Sequence, residues 1–363
     1  MNIKQNIQHN FDHFHTHPEV SFKEVETTKK LAEIMDELGV SYRTFDDVTG
    51  LIAEIGQGER VVAMRADIDA LWQEVNGVEQ ANHSCGHDAH MAMVLGAIMH
   101  LKDEPLDKRI RFIFQPAEET GNGSLDMVRH GALEDVTHLY GIHLRAQDEL
   151  PFGLATSALH HGSSNFLKGR IIGEDAHGAR PHQGKNAIDV LMSIQQMLKS
   201  IYFSPFESYS AKMTNIRAGG DSLNIIPGRA TFALDVRAQS NSLMDALKLR
   251  ITDGIAAIES LHSVTIEWEW DDYTPGAEVS EEARAIAEAA ITEILGAENT
   301  AQPIHTPGAD DFHFYTIKKP ELKATMIGLG AGLTPGLHHP DMHFNHDALE
   351  IGAKILAATA KKS

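Results

Sequence analysis

Residues 83–90 read HSCGHDAH and hold the only cysteine of the chain, set among three histidines and an aspartate. A thiolate and an imidazole flanking Gly86 can turn into one pocket, and such donors suit a divalent transition metal. A C-x-H pair alone is an ordinary chance occurrence, and an isolated cysteine is as commonly an inert buried hydrophobe. A second stretch shifts the balance. FQPAEETGNG at 114–123 places Glu118 and Glu119 directly after an apolar run that ends in Pro116. On a solvated helix adjacent glutamates are ordinary, but at the mouth of a buried strand they repel unless a cation accompanies them. One could ligate metal while its neighbour takes a proton from metal-activated water, which is what amide hydrolysis at neutral pH needs. His143 follows another apolar run, and His338 lies far along the chain in GLHHPDMHFN. Cys85, His87, Glu119, His143 and His338 make five donors, one more than a single tetrahedral zinc uses. Five donors with Asp67 or water suit two divalent ions that share a bridge.

The elements that must position these residues are legible as patterns. EVETTKKLAEIMDELG at 24–39 has the period of an amphipathic helix closed by Gly39. RVVAMRADID at 60–69 reads as a buried strand running into an acidic loop, and 90–104 as a helix opening after the cysteine motif. Residues 108–119 and 136–144 read as further strands. Strand, loop and helix in alternation, with polar residues at strand ends, is how open α/β sheets build sites. From 163 to 275 the pattern changes to four strands (165–174, 212–218, 229–238, 264–270) and two helices (187–201, 242–262) in the order β-α-β-β-α-β. The expected fold is therefore α/β in two domains. Residues 1–162 plus 276–363 form a larger catalytic domain around a central, mostly parallel sheet, and 163–275 form an inserted α+β lid.

Composition excludes several function classes. At 363 residues, two domains are the ordinary expectation, and 42% hydrophobic residues support globular folding. A net charge of −20, from 51 acidic and 31 basic residues, repels phosphate backbones and anionic membranes, so neither is an expected partner. One cysteine precludes an internal disulfide framework, and the N-terminal stretch lacks a signal-like apolar segment, which fits a cytoplasmic protein.

The motifs HTHPEVSFKEVETT, MRADIDAL, SCGHDAH, FQPAEE, GIH, DAHGARPHQGKNAID, SLNIIPGRATFALDVRA, PGADDFHFY and GLHHPDMHFNHDALEIG span nearly the whole chain in order. In them the sequence resembles the co-catalytic metal-dependent aminoacylase and carboxypeptidase family. The branch it is most similar to contains hippurate hydrolases, N-acyl-amino-acid amidohydrolases and hydrolases of indole-acetyl amino acids. The resemblance implies two divalent ions (zinc, manganese or cobalt) held by Cys85, His87, Glu119, His143 and His338. It implies Glu118 as general base and Asp67 as an assisting residue near the metals. In the inserted domain it implies substrate contacts from His177, which binds the developing oxyanion or a carboxylate, and from Asn224, with Arg237 where a carboxylate-binding arginine could sit. In dimeric relatives that domain can form the subunit interface, which would let His177 serve a neighbouring chain.

The sequence departs from the family pattern at three points. Trp72 follows RADIDAL where the family has proline, the proline after His143 is delayed to Pro151, and Asp310 stands where glutamate is usual. None touches the five donors. His90, His339, His343 and His346 read as lying outside the ligand set, and His13, His15 and His17 as part of a structural N-terminal motif. The expected activity is metal-dependent hydrolysis of the amide of an N-acyl amino acid or related conjugate. The rivals are a dipeptidase or carboxypeptidase of the same family and a non-catalytic metal-binding protein, the latter disfavoured because Glu118 is intact.

Overall fold

A computed structural model describes all 363 residues, and the chain divides into two compact units. Unit 1 comprises 1–160, 278–305 and 311–363; unit 2 comprises 161–277 and 306–310.

Unit 1 is built on an eight-stranded mixed sheet. Its strands run in the order Ser41–Thr44, Leu51–Gly56, Arg109–Gln115, Val61–Asp67, Val136–Ala146, Lys323–Leu333, Ala155–Thr156 and Thr300–Ala301. The four central strands from Arg109–Gln115 to Lys323–Leu333 are parallel, whereas Leu51–Gly56 runs antiparallel beside them. Alternation along each strand feeds two cores. Val62, Met64 and Ala66 join one apolar cluster with Phe112, Phe114, Tyr140 and Leu144, while Val61 and Ala63 join another with Ile113 and Leu139. A strand buried on both faces reads as a continuous apolar run, as VVAM does.

The helix expected after the cysteine motif begins inside it, at His87, and runs to Leu101. Gly86, at φ +89, supplies the left-handed turn that ends the loop, so His87 lies in the first helical turn rather than before it. This helix is apolar on every side and is sandwiched accordingly. Helix Ile3–Thr16 covers it with Ile7, Phe11 and Phe14, and helix Asp347–Lys362 packs against it as well. The Ile3–Thr16 helix, which the sequence patterns above do not name, opens on a capping box formed by Asn2 and Gln5. The helix expected at 24–39 is observed at Val25–Leu38, with Gly39 at φ +68. The strand expected through residue 119 stops at Gln115, because Pro116 has no N–H to donate and Ala117 turns to φ +53. Glu118 and Glu119 therefore sit on a loop at the carboxyl end of the sheet. No helix is long and apolar enough to cross a membrane.

Unit 2 is a four-stranded antiparallel sheet in the order Tyr209–Ala218, Arg229–Ala238, Ser163–Ile172 and Thr265–Thr274. Helices Ala187–Lys199 and Asn241–His262 bury Val190, Leu191, Ile194, Leu247, Ile251 and Ile255 against it. The β-α-β-β-α-β order is the one the patterns specify. A short pair, Ala176–His177 with Ile225–Ile226, projects from it.

Gly96 marks a close helix crossing in unit 1. A Cβ there would lie 2.6 Å from Ile7 Cδ1 and 2.7 Å from Ala353 Cβ. Gly96→Ala is expected to cost about 1–3 kcal/mol by overpacking, read as a lowered thermal midpoint for unit 1.

Candidate metal centre

The chemistry-bearing residues of unit 1 meet at the carboxyl ends of its central parallel strands, where open α/β sheets place their sites. Asp67 ends one strand opposite Gln115, the last residue of the next. His143 lies near the end of a third. The loop after Gln115 brings Glu118 and Glu119, and Gly86 turns Cys85 and His87 inward. Gly123 closes the acidic loop, since a Cβ there would sit 1.6 Å from the carbonyl oxygen of Pro116. His338 adopts φ +64, with its amide donating to Ser84 O (2.8 Å) and its carbonyl accepting from Gln73 Nε2 (3.2 Å).

The rings of His87 and His143 each have one nitrogen committed to an acceptor, which fixes where the other points. His87 Nδ1 donates to the carbonyl of Asp69 (2.9 Å) and lies 3.2 Å from Asp69 Oδ1. Its Nε2 is buried with no hydrogen-bond partner, 3.7 Å from Asp67 Oδ2 and 3.8 Å from both Glu118 Oε2 and Glu119 Oε1. His143 Nδ1 donates to Leu144 O (2.7 Å), and its Nε2 faces Cys85 Sγ at 3.7 Å. Glu119 Oε1 is likewise buried and without a partner, 3.8 Å from His338 Nε2. The N···O separations are too long for hydrogen bonds, and all of the separations are near the spacing of atoms that share a cation. Ligands about 2.1 Å from a tetrahedral ion lie roughly 3.4 Å apart, and a sulfur at about 2.3 Å widens the gap. The donor atoms of Cys85, His87 and His143 lie within 4.8 Å of one another, as do those of Cys85, Glu119 and His338. Cys85 belongs to both sets. All five residues expected as donors are therefore gathered, and the thiolate, imidazole and carboxylate set could hold divalent metal.

The electrostatics point the same way. Burial opposes charge on His87, yet Asp67 and Cys85 lift its pKa well above the ordinary histidine range. Burial pushes the Glu119 carboxyl up to about 7, against the pull of His87. Burial, with Glu119 beside it, raises the Cys85 thiol well above its usual range. The site concentrates potential anions and draws positive charge to its centre. Cys85, His87 and Glu119 would give up those protons to hold a divalent cation, with Cys85 as the thiolate.

Around the donors lies a buried polar frame that the motifs did not single out. Burial would raise the Asp67 carboxyl, but Arg65, His87 and His90 hold it well below the carboxylate range. Arg65 bonds Asp67, donates to Gln115 Oε1 (2.9 Å), and reaches Asp311 (2.8 Å). His90, which reads from sequence as outside the ligand set, accepts from the amide of Leu144 at Nε2 (3.1 Å) and donates from Nδ1 to Asp67 Oδ1 (2.6 Å). His15 bonds the buried Asp88 at 2.7 Å, tying the N-terminal histidine cluster to the ligand loop. Trp72 is exposed on the strand Leu71–Val75, whose neighbour Gln73 reaches the His338 carbonyl. Of His339, His343 and His346, none falls in a donor group.

In unit 2, His177 pairs with Ile225, and Gly178 donates to the carbonyl of Asn224 (2.7 Å), so His177 and Asn224 are neighbours. His177 Nδ1 accepts from the amide of Ala179 (3.0 Å), which leaves Nε2 as an N–H donor. Arg237 is not brought beside them. It lies near the far end of Arg229–Ala238, about 26 Å along an ordinary strand from Arg229, with Nε 3.0 Å from Asp235 Oδ1.

Residues 63–362 match the model of Peptidase family M20/M25/M40. The chain is 30% identical over 369 residues to IAA-amino acid hydrolase ILR1-like 4 of Arabidopsis thaliana, covering 96% of this chain and 83% of that relative. It is 31% identical over 372 residues to N-acetylcysteine deacetylase of Bacillus subtilis, covering 95% and 93%. Among solved structures, a dinuclear metal binding peptidase of Bacillus subtilis from the M20 family superposes with a TM-score of 0.84 at 28% identity, covering 99% of this chain and 97% of that one. Site and likeness together define a metal-dependent amidohydrolase. The chain belongs to peptidase family M20/M25/M40.

Because Cys85 is common to both donor groups, Cys85→Ser is expected to weaken divalent metal binding by about tenfold or more. Elemental analysis after dialysis against graded chelator would check this, and wild-type retention would remove Cys85 from the donor set.

Proposed function

We propose that the protein hydrolyses the amide bond of N-acyl amino acids or related small conjugates, using Glu118 as general base. The observation that carries this reading is the convergence of Cys85, His87, Glu119, His143 and His338 with the Glu118 carboxylate, 3.8 Å from His87 Nε2. Two divalent ions held by those five side chains would polarise the scissile carbonyl and make water a competent nucleophile. The solved relative described as dinuclear supports the number. Thiolate and imidazole suit zinc, while the carboxylates also admit manganese or cobalt.

The chain's own groups divide the remaining work. Glu118, at the rim of the buried set with its side chain 11% exposed, can take a proton from water and return it to the departing amine. Asp67, held anionic by Arg65 and His90, sits behind His87 and favours positive charge there. In unit 2, His177 offers an Nε2–H donor suited to a substrate carbonyl or carboxylate oxygen, with Asn224 beside it. Arg237, which lies apart from His177 and Asn224 and is paired with Asp235, is a separate candidate contact for a carboxylate. Unit 2 also has an open edge at Tyr209–Ala218, which supports pairing with a second copy.

A panel of N-acyl amino acids and free dipeptides, assayed with zinc, manganese or cobalt and with chelator, tests the reading. Release of amino acid from the acylated substrates, abolished by chelator and restored by metal, is the expected result. Turnover of dipeptides alone would favour the peptidase reading. Glu118→Gln should lower kcat by about 10²–10⁴ while leaving bound metal unchanged, and wild-type turnover would end the general-base assignment.

A further inference from the structure

A fully buried carboxylate from the N-terminal segment reaches the acidic loop and has no part in the chemistry above. Glu24 occupies the N-cap of helix Val25–Leu38, yet its side chain makes no capping bond to that helix. Acceptor side chains at this position ordinarily satisfy the first amides of their own helix. The Glu24 carboxylate turns into the interior instead. Its Oε1 accepts from the amide of Ala117 (2.9 Å), and its Oε2 accepts from the hydroxyl of Thr49 (2.6 Å). Thr49 lies two residues before Leu51, which pairs with Phe114 near the end of the strand that leads to Ala117. The carboxylate is thus tied to the same strand pair that delivers the residue it holds.

Ala117 is a residue that needs holding. It is fully buried, adopts φ +53 and stands directly before Glu118. A residue with a Cβ stays in the left-handed region only where its surroundings compel it, and such residues gather at functional sites. The Ala117 carbonyl accepts from the hydroxyl of Thr120 (3.1 Å) and the amide of Gly123 (3.3 Å), so the loop closes on itself there. Its amide lies beyond the last strand residue, and removing Glu24 would orphan that buried N–H. We infer that Glu24 is a positioning residue for the general base: by holding Ala117 in its left-handed turn, it sets the direction in which the Glu118 side chain leaves the loop. Glu119, one residue on, has a separate anchor, its amide donating to Asp69 Oδ2 (3.1 Å). Loss of Glu24 therefore displaces the base more than the metal donor beside it. The inference rests on the general-base reading of Glu118.

Glu24→Leu removes both acceptors at similar volume. The test measures kcat and KM of the zinc-loaded full chain on the acylated substrate that the wild type turns over fastest, alongside zinc content. Glu24→Leu is expected to lower kcat by about 10–10²-fold, with KM and bound zinc near wild type. Glu24→Gln, whose amide oxygen can serve Ala117 while its NH2 donates to Thr49, is expected to recover most of that loss. The double variant Glu24→Leu/Glu118→Gln should be no slower than Glu118→Gln alone, because a residue acting through the base then has nothing left to position. A further loss in the double variant, or zinc falling in step with kcat, would overturn the inference and mark Glu24 as purely structural. Wild-type kcat in Glu24→Leu beside an impaired Glu118→Gln would overturn it too, and leave the base reading standing. Wild-type turnover in Glu118→Gln would instead end the base reading, and the inference with it. Should Glu24→Leu fail to fold, Glu24→Asp keeps the charge and withdraws it by one methylene. A several-fold fall in kcat is then expected, and unchanged kcat would overturn the role.

Discussion

Acidic groups crowded at one end of a buried sheet repel one another, and the rest of unit 1 is arranged around how that repulsion is met. Asp67, Asp69, Glu119 and the Cys85 thiol share a region where burial penalises each anion, with the Glu118 carboxylate beside them. Arg65 and His90 answer Asp67, and Ser21 and the Glu119 amide answer Asp69. The inner ring is left with donors 3.7–3.8 Å apart, a gap suited to a cation. Removing one partner from such a set leaves a buried charge uncompensated, so the frame and the donors stand or fall together.

The apolar architecture serves that frame. The helix His87–Leu101 is buried on all sides, which immobilises its first turn and with it His87 and His90. The parallel register of the central strands puts Asp67 and Gln115 level. Strand alternation then directs Arg65 and Asp67 to the face that Val61 and Ala63 occupy lower down, where Gln115 and Asp311 complete the network. The two apolar cores thus fix the depth and direction of charged groups that loops alone would hold poorly.

Much of this was legible from the sequence, and the limits have physical causes. Donor identity was readable because a lone cysteine, paired glutamates and histidines after apolar runs each break a local pattern. Three strands of the central sheet, and the four strands and two helices of unit 2's core, are readable as patterns, whereas the central strand Lys323–Leu333 is not among them. Element ends were misplaced where single residues decide them, as with Gly86 starting the helix early and Pro116 with Ala117 ending a strand. Asp69, Glu24 and Arg65 stayed hidden as site residues because their importance lies in long-range hydrogen bonds, which leave no spacing signature. Asp69 has one cue, the second acid of RADID just past the end of a buried strand.

The order in which the segments of unit 1 are made has a consequence for when its site can exist. Unit 2 is nearly contiguous, from 161 to 277, whereas unit 1 needs residues 311–363 to supply a central strand, the His338 loop and the helix that closes over His87–Leu101. During synthesis from the N-terminus, the inserted unit can therefore complete its core while the surrounding one is still open, because domains fold as units when their residues are available. Cys85, His87, Glu119 and His143 emerge long before His338 and before their covering helix. The maturation of this site is thus a late event, timed by chain elongation as well as by the supply of metal.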